Sequence, residues 1–204
     1  MLRLGTWIEP VLLSEWTRLT SDYAMRMGLD LQPGQIEATL TWQDPTRDTT
    51  LARAVARRLE DAGSPIICVW SGAPLTSRNL DIDHTLPWSA WPCGDLWNLV
   101  PSLSAVNQHQ KRDRLPTAAV LAQAREPIIR WWEEAWHADP ALARRCAAEA
   151  WATLPVDGSP TPDAVFAGLE WRRLRVRQDQ QAPEWDGVLG KPRLDDTRVD
   201  RPGA

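Results

Sequence analysis

From Glu9 to Gly28 the apolar positions Val11, Leu12, Trp16, Leu19 and Tyr23 recur at helical spacing, and Gly28 is placed to stop the helix. In "GQIEATLTWQDP" the positions Ile36, Leu40 and Trp42 read either as a short strand or as the end of a second helix. "TTLARAVARRLEDAG" reads as a helix: Leu51, Val55, Ala56 and Leu59 make one face, Thr49 or Thr50 can cap it, and Gly63 ends it.

The pattern changes at Pro65. "IICVW" is an apolar run rich in β-branched residues, "SGAP" is a turn, and "LDIDH" alternates with Leu80 and Ile82 on one side. Together they predict a hairpin of two short strands. A loop dense in Pro and Trp runs from Thr85 to Pro101, and Ser102 opens a helical stretch, "LSAVNQHQKRD", that stops before Pro116. Beyond it Thr117 caps "AAVLAQARE", Pro127 begins or kinks "IIRWWEEAWHAD", Pro140 opens "PALARRCAAEAWATL", and a further helix runs from about Pro162 to Gln178. The last stretch is too poor in apolar residues to bury and reads as a mobile tail. The expected fold is α+β and mainly helical. It comprises an N-terminal helical flank (1–63), a central ββ-loop-α segment (64–116), a C-terminal helical region (117–181) and the tail (182–204).

Composition adds bounds. With 204 residues, the chain suits one compact domain with attachments or two small ones. No run of about 18 apolar residues exists, so no membrane span is expected, and "MLRLGTWIEPVLL" lacks a signal-peptide pattern. Cys68, Cys93 and Cys146 are odd in number and widely spaced, which predicts free thiols in a reducing cytoplasm. A net charge of −4 excludes coating nucleic acid by bulk electrostatics, so any such binding needs a local basic face. Arginine outnumbers lysine 21 to 2 and there are 13 tryptophans. That bias reads either as the codon usage of a GC-rich bacterial genome or as selection for phosphate forks and stacking surfaces.

The centre of the chain holds candidate chemistry. Cleaving a phosphodiester near neutral pH needs a nucleophile made from water, charge neutralisation at phosphorus and stabilisation of the leaving oxygen. Histidine titrates nearest that pH and suits the first task. A hard cation suits the others, and it keeps several waters, so one carboxylate plus one amide oxygen is enough protein ligation. Asp83 and His84 end the second predicted strand. Asn98 lies in the loop, where it can bridge backbone groups. Asn107 offers an amide oxygen from the next helix, and Lys111, four residues on, lies on the same face, where its ammonium could meet a phosphate.

"CVWSGAPL…LDIDHTLPWS…DLWNLVP…AVNQHQKRDRLP" resembles the HNH, or ββα-metal, nuclease motif, and the stride His84, Asn98, Asn107 is similar to that of the HNH domains of CRISPR effector nucleases. The resemblance covers about Pro65 to Pro116. It implies a central ββα-metal module flanked by α-helices, with Asp83 and Asn107 binding Mg²⁺ or Mn²⁺, His84 activating water and Asn98 fixing the active-site loop. The chain departs from the family in two ways. It has no pairs of Cys-x-x-Cys, so no structural zinc is expected, and one extra residue separates Asn107 from Lys111 relative to some members. His109 lies on the opposite side of an α-helix from Asn107.

Taken singly, these residues have plain explanations. An Asp-His pair can cap a turn, and lone asparagines are commonly loop or surface residues. Their joint arrival at the family stride carries the assignment. Cys93 has no base placed to serve it and reads as a packed loop cysteine. Trp132 and Trp136 share a helical face, which is a core stripe by default. Lys111, Arg112 and Arg114, with Arg173 and Arg177 one turn apart on the last helix, are the candidate DNA contacts. For Arg173 and Arg177 a solvated helix face is an equal alternative. The expected activity is metal-dependent hydrolysis of DNA, with RNA as the alternative substrate, one strand cut per active site, in a phage-defence or mobile-element setting. A protein partner or a homodimer would fit such an enzyme. The rival is a catalytically silent HNH fold that serves as a nucleic-acid-binding or accessory subunit.

Overall fold

A computed structural model of the protein describes residues 5–29, 31–40, 46–157 and 160–188. It contains two compact units, divided between Asp44 and Pro45. The first holds α1 (Gly5–Arg26) and α2 (Pro33–Leu40), so Ile36 and Leu40 belong to a helix and not to a strand. Ala24 and Ile36 are buried there, whereas Val11, Leu12, Trp16, Leu19 and Tyr23, the predicted inner face of α1, are exposed.

The second unit starts the functional part of the molecule with α3 (Thr50–Asp61), which buries Ala52, Val55 and Ala56 against the strands that follow. Neither threonine side chain caps α3. The Asp48 carboxylate does so instead, accepting the Thr50 N–H at 2.8 Å. Gly63 takes φ +78°, a conformation open to glycine, and ends the helix as expected.

Strand pairing corrects the predicted hairpin. β1 (Ile66–Ile67) pairs antiparallel with the short β2 (Pro74–Leu75) across the "SGAP" turn, while β3 (Leu80–His84) pairs with β4 (Leu99–Leu103). The register sets Ile82 opposite Pro101 and His84 opposite Leu99. β4 was hidden in the sequence because Pro101 cannot donate to a ladder and so argues against a strand. Here Pro101 contributes its carbonyl, which accepts the Val69 N–H at 3.1 Å. The expected helix begins later than Ser102, and from Val106 to Lys111 it is a π-helix, with Arg112 N–H bonded to Asn107 O at 2.8 Å. A π-turn takes one more residue than an α-turn.

β5 (Leu115–Pro116) leads into α4 (Ala118–Gln123), α5 (Arg125–Trp132) with a π-turn over Glu133–His137, α6 (Pro140–Thr153) and α7 (Pro162–Gln180). These helices position the site from behind. Trp131 Nε1–H donates to Leu99 O at 2.9 Å and Trp132 Nε1–H donates to Trp97 O at 3.1 Å, so two core indoles fix the start of β4. Trp132 and Trp136 are fully buried, as the core-stripe reading requires. The predicted tail begins as structure: β6 (Glu184–Trp185) pairs parallel with β5, and Trp185 is buried with its ring edge-on to Trp70 at 5.6 Å. The rest of that tail, 189–204, lies outside the described residues.

Candidate functional site

Alternation along β3 puts Asp81 and Asp83 on one face, and that face meets the π-helix. On the helix, Asn107 and Lys111 stand about one turn apart, so two strand positions meet two helix positions in register. Asn107 Nδ2–H donates to Asp81 Oδ2 at 2.8 Å, and Lys111 Nζ donates to Asp83 Oδ1 at 3.1 Å. Asp81 also accepts from Gln108 Nε2 at 3.2 Å and is ion-paired to Arg53 of α3. Burial by itself would raise the Asp81 carboxyl, but the hydrogen bonds from Asn107, Gln108 and Arg53 outweigh it and hold the group below the usual range.

Asp83 sits deeper. Its second oxygen accepts the Trp70 indole N–H at 2.8 Å, and Lys111 is 0 % exposed, its ammonium also donating to His84 O at 2.7 Å. Burial pushes the Asp83 carboxyl up and the Lys111 ammonium down. The mutual attraction of the pair opposes both shifts. The structure therefore does not bring Asp83 together with Asn107. It brings Asp81 to Asn107, and it spends the Lys111 ammonium on Asp83 rather than leaving it to face solvent.

His84 closes β3 and is buried, with its ring edge-on to Trp88 at 5.3 Å. Neither ring nitrogen has a hydrogen-bond partner among the described residues. Desolvation, then the charges of Arg47 and Lys111, pulls its pKa to about 4, so the imidazole is neutral at pH 7 and keeps a lone pair. Asn98, fully buried at the end of a 3₁₀ turn (Leu96–Asn98), ties the connecting loop. Its Oδ1 accepts Leu86 N–H at 2.8 Å, and its Nδ2 donates to Cys93 O at 3.0 Å and to Leu86 O at 3.3 Å. Cys93 is buried in that loop, and burial pushes its thiol far up, which removes it as a nucleophile.

In front of β3 and the π-helix lies a cavity of about 620 Å³ lined by Arg47, Arg53, Asp81, Trp88, Asn107 and Arg112, among others. Of the expected phosphate contacts, Arg112 alone lines this cavity. Arg114 donates to Gln110 O, Arg173 donates to Pro116 O at 2.8 Å and pairs with Glu184, and Arg177 meets Glu184 at 2.9 Å. These last two arginines staple α7 to β6, Arg173 from a buried position and Arg177 from a half-exposed one. His109 is exposed and does not line the cavity. Sequence reasoning missed Asp81, Arg47 and Arg53. The alternation that put Leu80 and Ile82 on one side carried the signal for Asp81, since it leaves Asp81 and Asp83 together on the other. Nothing local pointed to the two arginines.

Among the described residues no group of three or more His, Cys, Asp or Glu side chains is arranged to hold a metal ion. A hard cation of the expected kind needs fewer protein ligands. Asp81 and Asn107 supply oxygen donors on the wall of a cavity with room for the water such an ion keeps, whereas Asp83 lies deeper, paired with Lys111. The donor set therefore fits a divalent cation. No helix among the described residues is long and apolar enough to cross a membrane. No curated protein and no solved structure matches the chain. The segment that carries β3, β4, Asn98 and the π-helix, residues 68–117 and about a quarter of the chain, matches the family model described as HNH endonuclease.

Proposed function

We propose that the protein is a metal-dependent endonuclease that hydrolyses DNA phosphodiester bonds, with β3, β4 and the π-helix as its ββα-metal module. The observation that carries this reading is His84. It is a neutral imidazole whose two nitrogens have no hydrogen-bond partner among the described residues, buried under Trp88, which lines the arginine-bearing cavity, inside the family-matched segment. Burying such a group without a partner costs free energy, which fits a site kept for chemistry rather than for stability.

Asn107 with the β3 aspartates would hold the cation, Asp83 by exchanging the Lys111 ammonium for it. When bound, the ion neutralises charge on the phosphate oxygens and on the leaving 3′ oxygen. His84 takes a proton from water at a ring nitrogen, the water oxygen forms a bond to phosphorus, and the bond from phosphorus to the 3′ oxygen breaks. Asn98 holds the loop that carries Trp88 over His84. One site cuts one strand per engagement, so a double-strand break needs two subunits or two binding events. A cytoplasmic role in phage defence or on a mobile element suits such an activity.

The test is supercoiled plasmid incubated with the protein and Mg²⁺ or Mn²⁺, beside EDTA and His84→Ala controls. Metal-dependent nicking that vanishes in the variant supports the reading, and equal nicking by the variant removes His84 from the chemistry. One observation favours a second reading, an HNH fold retained as a binding module: the Asp83 carboxylate is already neutralised by Lys111. DNA binding without cleavage in either metal would select it.

A further inference from the structure

We propose that Arg47, Arg53 and Arg112 form a clamp for a backbone phosphate of DNA at the mouth of the cavity. Two of the three come from α3 and the segment leading into it, outside the HNH-matched residues 68–117. All three line the same cavity as Asp81 and Asn107. Arg112 is carried there by the end of the π-helix, where φ of +56° turns the chain.

The three guanidinium groups differ in how they are held. Arg53 is oriented by Thr49 Oγ1, which accepts its Nε–H at 3.2 Å, and by Asp81, which leaves its Nη1 side for a ligand. Arg47 and Arg112 have no ion pair or side-chain hydrogen bond among the described residues. In the cavity three arginines face two aspartates, Asp81 and Asp113, so it is locally positive on a chain whose net charge is −4. A planar guanidinium matches two oxygens of a phosphate, and several converging on one cavity select a phosphodiester over a monodentate anion. This assignment offers a local basic site for nucleic acid on a chain whose net charge is acidic. It rests on the proposed nuclease reading for its ligand.

The experiment uses the full chain and a short fluorescein-labelled DNA duplex, with binding followed by anisotropy in EDTA so that no cleavage intervenes. The Arg47→Gln/Arg112→Gln double variant is compared with Arg125→Gln, a change at a half-exposed arginine of α5 outside the cavity, and thermal melting verifies folding of each. Arg53 is left intact because its loss would also unpair Asp81. The double variant is expected to bind on the order of tenfold more weakly and to lose about 2 from the slope of log K against log salt, with Arg125→Gln changing little. Wild-type binding that is absent, unchanged in the double variant, or weakened equally by Arg125→Gln overturns the clamp. Cleavage absent in every metal with the arginine dependence intact sinks the nuclease reading alone, and cleavage with arginine-independent binding sinks the clamp alone.

Discussion

The Lys111 ammonium lies 3.1 Å from Asp83 Oδ1, and both side chains are closed off from solvent. This buried ion pair joins the π-helix to β3 beside His84, whose carbonyl takes a second bond from the same ammonium at 2.7 Å. The Trp70 ring covers Lys111 at 5.6 Å and donates to Asp83 as well, so each oxygen of Asp83 accepts a hydrogen bond and Lys111 makes two.

Removing one partner leaves the other charged and unpaired. Lys111→Met is expected to lower stability by about 3–5 kcal/mol, because the cost is that of an uncompensated buried carboxylate. The Lys111→Met/Asp83→Asn double variant should recover much of that loss. Urea unfolding of the wild type, Lys111→Met, Asp83→Asn and the double variant measures both values, and strict additivity of the two single changes would contradict the pairing.

Asn98 saturates three backbone groups of one loop. Asn98→Ala leaves Leu86 N–H and two carbonyls without partners and should cost about 2–3 kcal/mol. Asn98→Asp keeps the acceptor for Leu86 but sets a carboxylate against Leu86 O and Cys93 O, so it should be the more damaging of the two near neutral pH. Equal midpoints for the two variants in chemical denaturation would refute that order.

His84 makes stability depend on pH. Its pKa is about 4 folded against 6.5 unfolded, so between these values the unfolded chain binds more protons. The contribution is fully present above the unfolded value and is lost as pH falls toward the folded one, with a slope of at most about 1.4 kcal/mol per pH unit. In His84→Gln that part of the slope should disappear. Unfolding free energies compared at about pH 5 and about pH 8 read the difference.

Trp185 lies in a segment that composition assigned to a tail. Its ring backs Trp70, which in turn donates to Asp83. Trp185→Ala should cost about 3–5 kcal/mol by cavity formation, and the loss should register as a lower thermal midpoint.

Arg173 and Arg177 are committed to Glu184, and Arg173 also to Pro116 O. Arg173→Ala should reduce stability, by about 1–3 kcal/mol for the unsatisfied groups it leaves, and leave the salt slope of DNA binding unchanged. A smaller slope would return these residues to the DNA interface.

The sequence by itself determined the order of the chemistry and most of the helices. Asp83, His84, Asn98 and Asn107 fall within one short segment, which resembles the HNH motif, and α3, α6 and α7 follow from apolar periodicity with proline and glycine at their ends. Tertiary structure decided the partners. Whether "LDIDH" pairs with "IICVW" or with a strand containing Pro101 depends on which ladder packs under α3 and the Trp131–Trp132 indoles. The bonds from Arg53 to Asp81 and from Lys111 to Asp83 each span 28 residues, and neither periodicity nor motif spacing encodes them. A carboxylate accepts from whichever donor packing delivers. The π-turn gave Asp83 to Lys111 and Asp81 to Asn107, and the Glu184 contacts tied Arg173 and Arg177 to β6 while Arg47 and Arg53 were left at the cavity.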